Sequence, residues 1–193
     1  MEPRLVLASA SPRRAQILTD LGIPFRAVVS GADETQFPGE EGAAAVLRLA
    51  RAKAAAVAPR ESLPVLAADT EVVCDGRVLG KPASREGALE MLRTLSGRAH
   101  EVVTGVCVVA GGAERWGIER TTVQFATLSD AEREWYVSTG ESMDKAGGYH
   151  VHGRGGFFVE SIAGSPSNVA GLPVRLLLRL LREVGVDLGP PVR

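Results

Sequence analysis

Unbroken apolar runs and longer periodic stretches alternate along this chain of 193 residues. Residues 5–8 (LVLA) and 64–68 (PVLAA) are apolar throughout, which predicts short buried strands. Ile17, Leu18 and Leu21 recur at helical spacing after Ser11-Pro12, a pair suited to an N-cap and a first helical position, and Gly22 is a good terminator. Residues 25–29 read as a second strand, followed by a polar loop over 31–41. The Ala-rich stretch 42–58 is helical, carries Arg48, Arg51 and Lys53 around it, and stops at Pro59. Residues 72–74 and 77–79 flank Asp75-Gly76, a short-range hairpin signal. Helices are predicted over 84–95, 129–139 and 173–184, and strands over 100–109, 115–125 and 157–162. The Gly-rich stretch 147–156 leads into the last strand, and residues 188–193 are expected to fray. Intermixed strands and helices predict an α/β fold: a mixed sheet with flanking helices.

Composition narrows the setting. A hydrophobic content of 45% and a charged content of 23% are those of an ordinary soluble globule. A net charge of -1 argues against a nucleic-acid or polybasic membrane binder, so any anion must be met by a local cluster of cations. Cys74 and Cys107 stand singly in strand-like runs with no zinc or redox spacing, which fits reduced thiols in a cytosolic protein. The longest apolar helix candidate is interrupted by Arg175, Arg179 and Arg182, so no membrane span is expected.

Candidate chemistry begins at Ser9–Arg14. A first helical turn ordinarily favours Asp or Glu, yet Arg13 and Arg14 stand there. A small-residue turn admits close backbone approach, the helix start offers unpaired N–H groups, and Ser9 and Ser11 add hydroxyls. With two guanidinium forks this is either an anion cradle or a capped, solvated first turn. Asp69 follows an apolar strand, at the strand end where α/β sheets present catalytic groups. Lys53, Arg51 and Lys81 supply cations, although each lysine singly reads as a surface group. One acid with several cations is what a metal-assisted phosphoryl site requires. His150 and His152 would share a face if that segment were a strand, but no third ligand for zinc is evident.

Longer stretches are more specific. They are Leu7-Ala-Ser-Ala-Ser-Pro-Arg-Arg14, Arg48-Leu-Ala-Arg-Ala-Lys53, Ala68-Asp-Thr70, Gly80-Lys-Pro82, and Leu95-Ser-Gly97 with His100. Asp144-Lys-Ala-Gly-Gly-Tyr149, Gly164-Ser-Pro-Ser-Asn-Val169 and Gly171-Leu-Pro173 complete the series. In this order, over nearly the full length, the chain resembles the Maf family, known as nucleoside triphosphate pyrophosphatases and septum formation inhibitors. The resemblance implies a single domain over residues 1–193, elongated and two-lobed like inosine triphosphate pyrophosphatases, with a cleft between the lobes. It implies hydrolysis of a nucleoside triphosphate to the monophosphate and pyrophosphate with Mg²⁺ or Mn²⁺, in the cytoplasm, by a homodimer. Asp69 matches the proposed proton acceptor; Arg13, Thr70 and His152 match specificity positions; Ser9, Glu34, Lys53 and Lys81 match polar and charged cleft positions.

Arg13, Thr70 and Tyr149 resemble the dTTP/UTP type, whereas the 7-methyl-GTP type carries Trp, Gln and Glu at its specificity positions. His152 stands where the dTTP/UTP type has Gln. A neutral imidazole also offers one donor and one acceptor, with different reach. Asp69 is expected to act as base or water-orienter and Glu34 to help hold the metal, the reverse assignment remaining open. The competing readings are a nucleotide-binding regulator of cell division with little turnover, a family enzyme with shifted base specificity such as 7-methyl-GTP, and a phosphate-binding structural module without nucleotide specificity.

Overall fold

The computed structural model describes residues 2–37 and 39–188. Its strands are β1 (Leu5–Leu7), β2 (Phe25–Ala27), β3 (Val65–Cys74), β4 (Arg77–Leu79), β5 (Ala99–Ala110), β6 (Ala113–Phe125) and β7 (Val159–Ala163). Its α-helices are α1 (Pro12–Asp20), α2 (Gly42–Val57), α3 (Arg85–Leu95), α4 (Asp130–Ser138), α5 (Pro166–Val169) and α6 (Val174–Glu183). The sheet runs β2-β1-β3-β5-β6-β7, with β4 on β3. It is mixed: β1 lies parallel to β2 and β3, while β3–β4 and β6–β7 are antiparallel. The α/β expectation therefore holds. No helix among the described residues is long and apolar enough to cross a membrane.

The described residues divide into two compact units, the first drawn from 2–37, 39–69, 104–119 and 171–188, the second from 70–103 and 120–170. In the first, alternation along β1 and β3 sends Leu5, Leu7, Leu66 and Ala68 to one core, where Leu18 of α1 and Leu176, Leu177, Leu180 and Leu181 of α6 cover them. Val6, Ala8, Val65 and Ala67 point the other way, onto Ala50, Ala54 and Val57 of α2. Strands covered on both faces must be apolar at every position, which is why LVLA and VLAA show no alternation. The α6 leucines are thus core, as their spacing suggests. At Gly105 of β5 an added Cβ would stand 2.5 Å from the Val46 carbonyl oxygen, so glycine lets α2 lie directly on the sheet.

In the second unit one core gathers Val72, Leu79, Ala88, Leu92, Leu95, Val102, Val123, Phe125, Tyr136, Tyr149 and Phe158. The Asp75-Gly76 hairpin forms with both residues at positive φ, 49° and 74°, as a two-residue primed turn requires. Ser84 caps α3 by accepting from Gly87 N, and Ser129 with Glu132 forms a capping box on α4.

Four expectations change. The strand expected to end before Asp69 continues to Cys74, placing Asp69 mid-strand, where an ion pair from α2 offsets a carboxylate's poor strand propensity. The last strand begins at Val159, because 154–158 form a 3-10 turn built on Gly155 and Gly156. His150 and His152 therefore lie on a turn segment, with no strand face to share. Leu188 is held, since Arg4 donates to its carbonyl and to that of Asp187 at 2.5 and 2.7 Å; the rest of the tail expected to fray, 189–193, lies outside the described residues.

Candidate active site

In the first unit, the buried stripe of α2 runs Val46, Leu49, Ala50, Lys53, Ala54, Val57, so Lys53 occupies a core-facing position. It reads from sequence as a surface group, yet it is only 6% exposed. Its ammonium lies 2.6 Å from Asp69 Oδ1 and 2.8 Å from Glu34 Oε2. An ammonium taken out of water at this depth needs such partners, and two carboxylates supply them. Among the described residues no hydrogen bond engages the second oxygen of Asp69.

Glu34 reaches the ammonium from a loop that is itself fastened. Asp33 Oδ1 accepts from Thr35 N (2.9 Å) and Thr35 Oγ1 (2.6 Å), an Asx-type turn. Arg48 donates to both oxygens of Glu40, at 2.7 and 2.6 Å, and to the Thr35 carbonyl, and it stacks on Phe37.

The Ser9–Arg14 turn shows a division of labour. Ser11 occupies the N-cap position but its side chain makes no capping bond; instead Ser9 Oγ accepts from Ser11 N at 3.1 Å. Arg14 turns inward, donating to the Gly171 carbonyl (2.8 Å) and to Ser9 Oγ (3.2 Å). Burial pulls its guanidinium below the ordinary arginine range against the opposing charges of Asp69 and Glu34, with Arg13 adding to the depression. Arg13 is half-buried on the same turn. Arg51 is not brought to this cluster: it pairs with Glu114 at 2.6 Å and lies by Trp116.

In the second unit, Thr70 is half-buried on β3, Lys81 is exposed after β4, and His152 is exposed on the 147–156 segment. Tyr149 is 6% exposed, its hydroxyl lies 2.9 Å from His100 Nε2, and its ring packs edge-on against Phe125. Burial pushes the His100 imidazole down to about 4, and burial, with a smaller contribution from Tyr136, pushes the Tyr149 phenol up, so both are neutral. Among the described residues no three His, Cys, Asp or Glu side chains converge as a metal cage.

A sequence model of the family described as Maf-like protein matches residues 4–184. The chain belongs to the Maf family. It is 53% identical over 192 residues to a protein of Anaeromyxobacter dehalogenans (strain 2CP-C) named dTTP/UTP pyrophosphatase, covering 97% of each chain. A Myxococcus xanthus protein of the same name is 49% identical over 185 residues, covering 95% of this chain and 94% of that one. Among solved structures, the Staphylococcus aureus Ham1 protein matches with TM-score 0.53 at 16% identity, over 93% of this Maf chain and 98% of that one. That likeness concerns the fold.

The sequence of this Maf chain does not reveal two side chains that fasten these segments, Arg48 on the Glu34 loop and Glu141, which accepts from Arg154 N and Gly155 N. Arg48 sits inside a quoted stretch without a role, and its fastening of the Glu34 loop depends on tertiary reach that no spacing shows. Glu141 carried no signal of its own. The glycines at 153, 155 and 156 did: an added Cβ would stand 2.6 Å from the Glu141 carboxylate at Gly153 and 2.8 Å from His150 N at Gly155.

Proposed function

We propose that the chain is a nucleoside triphosphate pyrophosphatase that hydrolyses dTTP and UTP to the monophosphate and pyrophosphate. The observation that carries the reading is the buried Lys53 ammonium shared by Asp69 and Glu34 beside Arg14, in a Maf chain about half identical to relatives bearing that name. Opposite charges at 4 Å are worth on the order of 4 kcal/mol each at an effective dielectric of 20. A polyphosphate must be neutralised before it can be attacked, and cations already drawn together cost no further organisation.

In this reading Arg13 and Ser11 grip phosphate oxygens, while Arg14 fixes the turn that presents them. Lys53 and Lys81 add positive charge, and Ser9 orders the backbone N–H groups. Asp69 uses Oδ2 to orient water and take its proton, Oδ1 being held by Lys53. Thr70 and His152 read the base, and Tyr149, anchored by His100, fixes the start of the segment that carries His152.

The donor set suits Mg²⁺ or Mn²⁺. Glu34 would supply a hard carboxylate, Asp69 being the alternative donor that the test below separates, and such ions accept one or two carboxylates with phosphate oxygens and water as the other ligands. When bound, the ion would polarise the phosphates and offset their charge. The reading extends to a homodimer in the cytoplasm, supported by the family resemblance alone.

Asp69→Asn decides the matter. Pyrophosphate release from dTTP and UTP is expected to fall by about three orders of magnitude, within the range for loss of a general base. Mg²⁺-dependent binding of the triphosphate, read by calorimetry, should persist. Loss of binding as well would make Asp69 a ligand in place of a base, and wild-type protein that releases no pyrophosphate would sink the reading.

A further inference from the structure

The segment that carries His152 is held at both ends by buried or half-buried side chains, Tyr136 at one and Glu141 at the other. Tyr136 of α4, fully buried, accepts from His150 N at 2.9 Å. The same hydroxyl favours the charged form of the Glu141 carboxylate. Glu141 in turn accepts from Arg154 N, at 2.9 and 3.3 Å, and from Gly155 N at 3.4 Å. His150 and Arg154 bracket His152 by two residues on each side, so the clamp closes directly around it.

The fit leaves no slack. At Gly155 an added Cβ would stand 2.8 Å from His150 N and 3.0 Å from Tyr136 Oη; at Gly156 it would stand 2.7 Å from the Val151 carbonyl oxygen. The His150 and Val151 atoms are backbone and cannot swing away, so glycine is needed for the turn to close on itself. The Glu141 carboxylate supports the arrangement. Burial works against its charge, yet the N–H groups of Arg154 and Gly155, the Tyr136 hydroxyl and His150 together hold it below the usual carboxylate range.

We propose that Tyr136 and Glu141 are positioning residues that set base selectivity by fixing the backbone of residues 150–155 and hence the aim of the His152 ring. This rests on the reading that His152 faces the base. Imidazole is shorter than the glutamine of the dTTP/UTP type and has fixed donor and acceptor directions, so its discrimination depends on where its backbone is held. Neither residue touches substrate.

The experiment uses the full chain with Tyr136→Phe, Glu141→Gln and Glu141→Ala. For each, kcat and KM are measured for dTTP, UTP, dATP and GTP, alongside amide exchange at 150–155. Removing one link should lower the pyrimidine-over-purine ratio of kcat/KM about tenfold, mainly through the KM for dTTP and UTP. Glu141→Gln, which keeps one acceptor, should sit between wild type and Glu141→Ala. On a His152→Ala background the same changes should move the ratio less than twofold.

Unchanged ratios in all three variants overturn the proposal, as does an equal drop with His152 already removed. If Tyr136→Phe fails to fold, the two Glu141 variants carry the test. A wild-type chain with no pyrimidine preference would instead sink the functional reading. Amide exchange then decides the clamp alone, and unaltered protection at 150–155 overturns it.

Discussion

Lys53 in the first unit and His100 in the second are almost equally sealed from water, at 6% and 3% exposure. Their surroundings are opposite. Lys53 lies between two carboxylates, whereas His100 is packed edge-on against Phe125 and Tyr149 and, among the described residues, meets only a phenol hydroxyl. A lysine can enter the interior only with counter-charge, because desolvating an ammonium costs several kcal/mol. Imidazole can shed its proton instead, so aromatic neighbours suffice and the ring stays neutral. The first unit thus concentrates charge where a polyanion could be met. The second builds a neutral, tightly packed frame behind the segment that carries His152.

The largest effect should follow from breaking the charged side. Lys53→Met leaves Asp69, whose side chain is 13% exposed, without its partner, while Glu34, at 59%, can rehydrate in place. Loss of one member of a buried pair costs about 3–4 kcal/mol. Urea unfolding of Lys53→Met should show a loss of that size. Adding Asp69→Asn should restore most of it, since the stranded charge is then gone. A double variant no more stable than the single one would mean that Lys53 contributes by packing.

The same contrast decides what could be read in advance. Turn and cap chemistry is local: the Asp75-Gly76 hairpin forms as signalled, and Ser84 and Ser129 cap the two helices expected to begin at them, all through residues within a few positions. The double-sided apolar strands were legible for the same reason. Asp69 in mid-strand and Lys53 in a core stripe break the local rules, and each is explained only by the other, 16 residues away. Nothing in the spacing says that Arg14 turns inward to Gly171 while Arg51 turns out to Glu114. Glu34, Thr70, Tyr149 and the role of His152 came from family resemblance, whereas the chemistry read from the residues themselves reached Ser9–Arg14, Asp69, Lys53 and Lys81. The Tyr136–Glu141 clamp left a trace solely as glycines without evident purpose.

On the neutral side the lever is pH. Folded His100 binds a proton only near pH 4, whereas in the unfolded chain it titrates near 6.5. Between those values the unfolded state binds more protons, so stability rises with pH across the window and is complete above it. The contribution lost on going from pH 7 to pH 4 is on the order of 3 kcal/mol. Carboxylates also titrate there, so the quantity to measure is wild type minus His100→Gln in denaturant titrations at pH 7, 5.5 and 4.5. His100→Gln should lose less stability on acidification; parallel curves would mean that the imidazole is protonated in the fold or that water reaches it.

The smallest effect should come from the same ion-pair chemistry placed in water. Arg98 Nη1 lies 2.7 Å from Asp75 Oδ2, as close as Lys53 lies to its carboxylates, but the two side chains are 55% and 69% exposed. Solvent screens the attraction and both side chains lose rotamer freedom to make it. Arg98→Ala is therefore expected to change unfolding stability by less than about 0.5 kcal/mol at 0.15 M salt. The hairpin should be indifferent too, because its geometry comes from the positive φ of Asp75 and Gly76 and from the β3–β4 ladder. Asp75→Asn, which breaks the pair yet suits a left-handed backbone, should be neutral or slightly stabilising. A loss above 1 kcal/mol in either variant would show that distance governs the worth of these pairs, and the contrast drawn between Lys53 and the surface would fail.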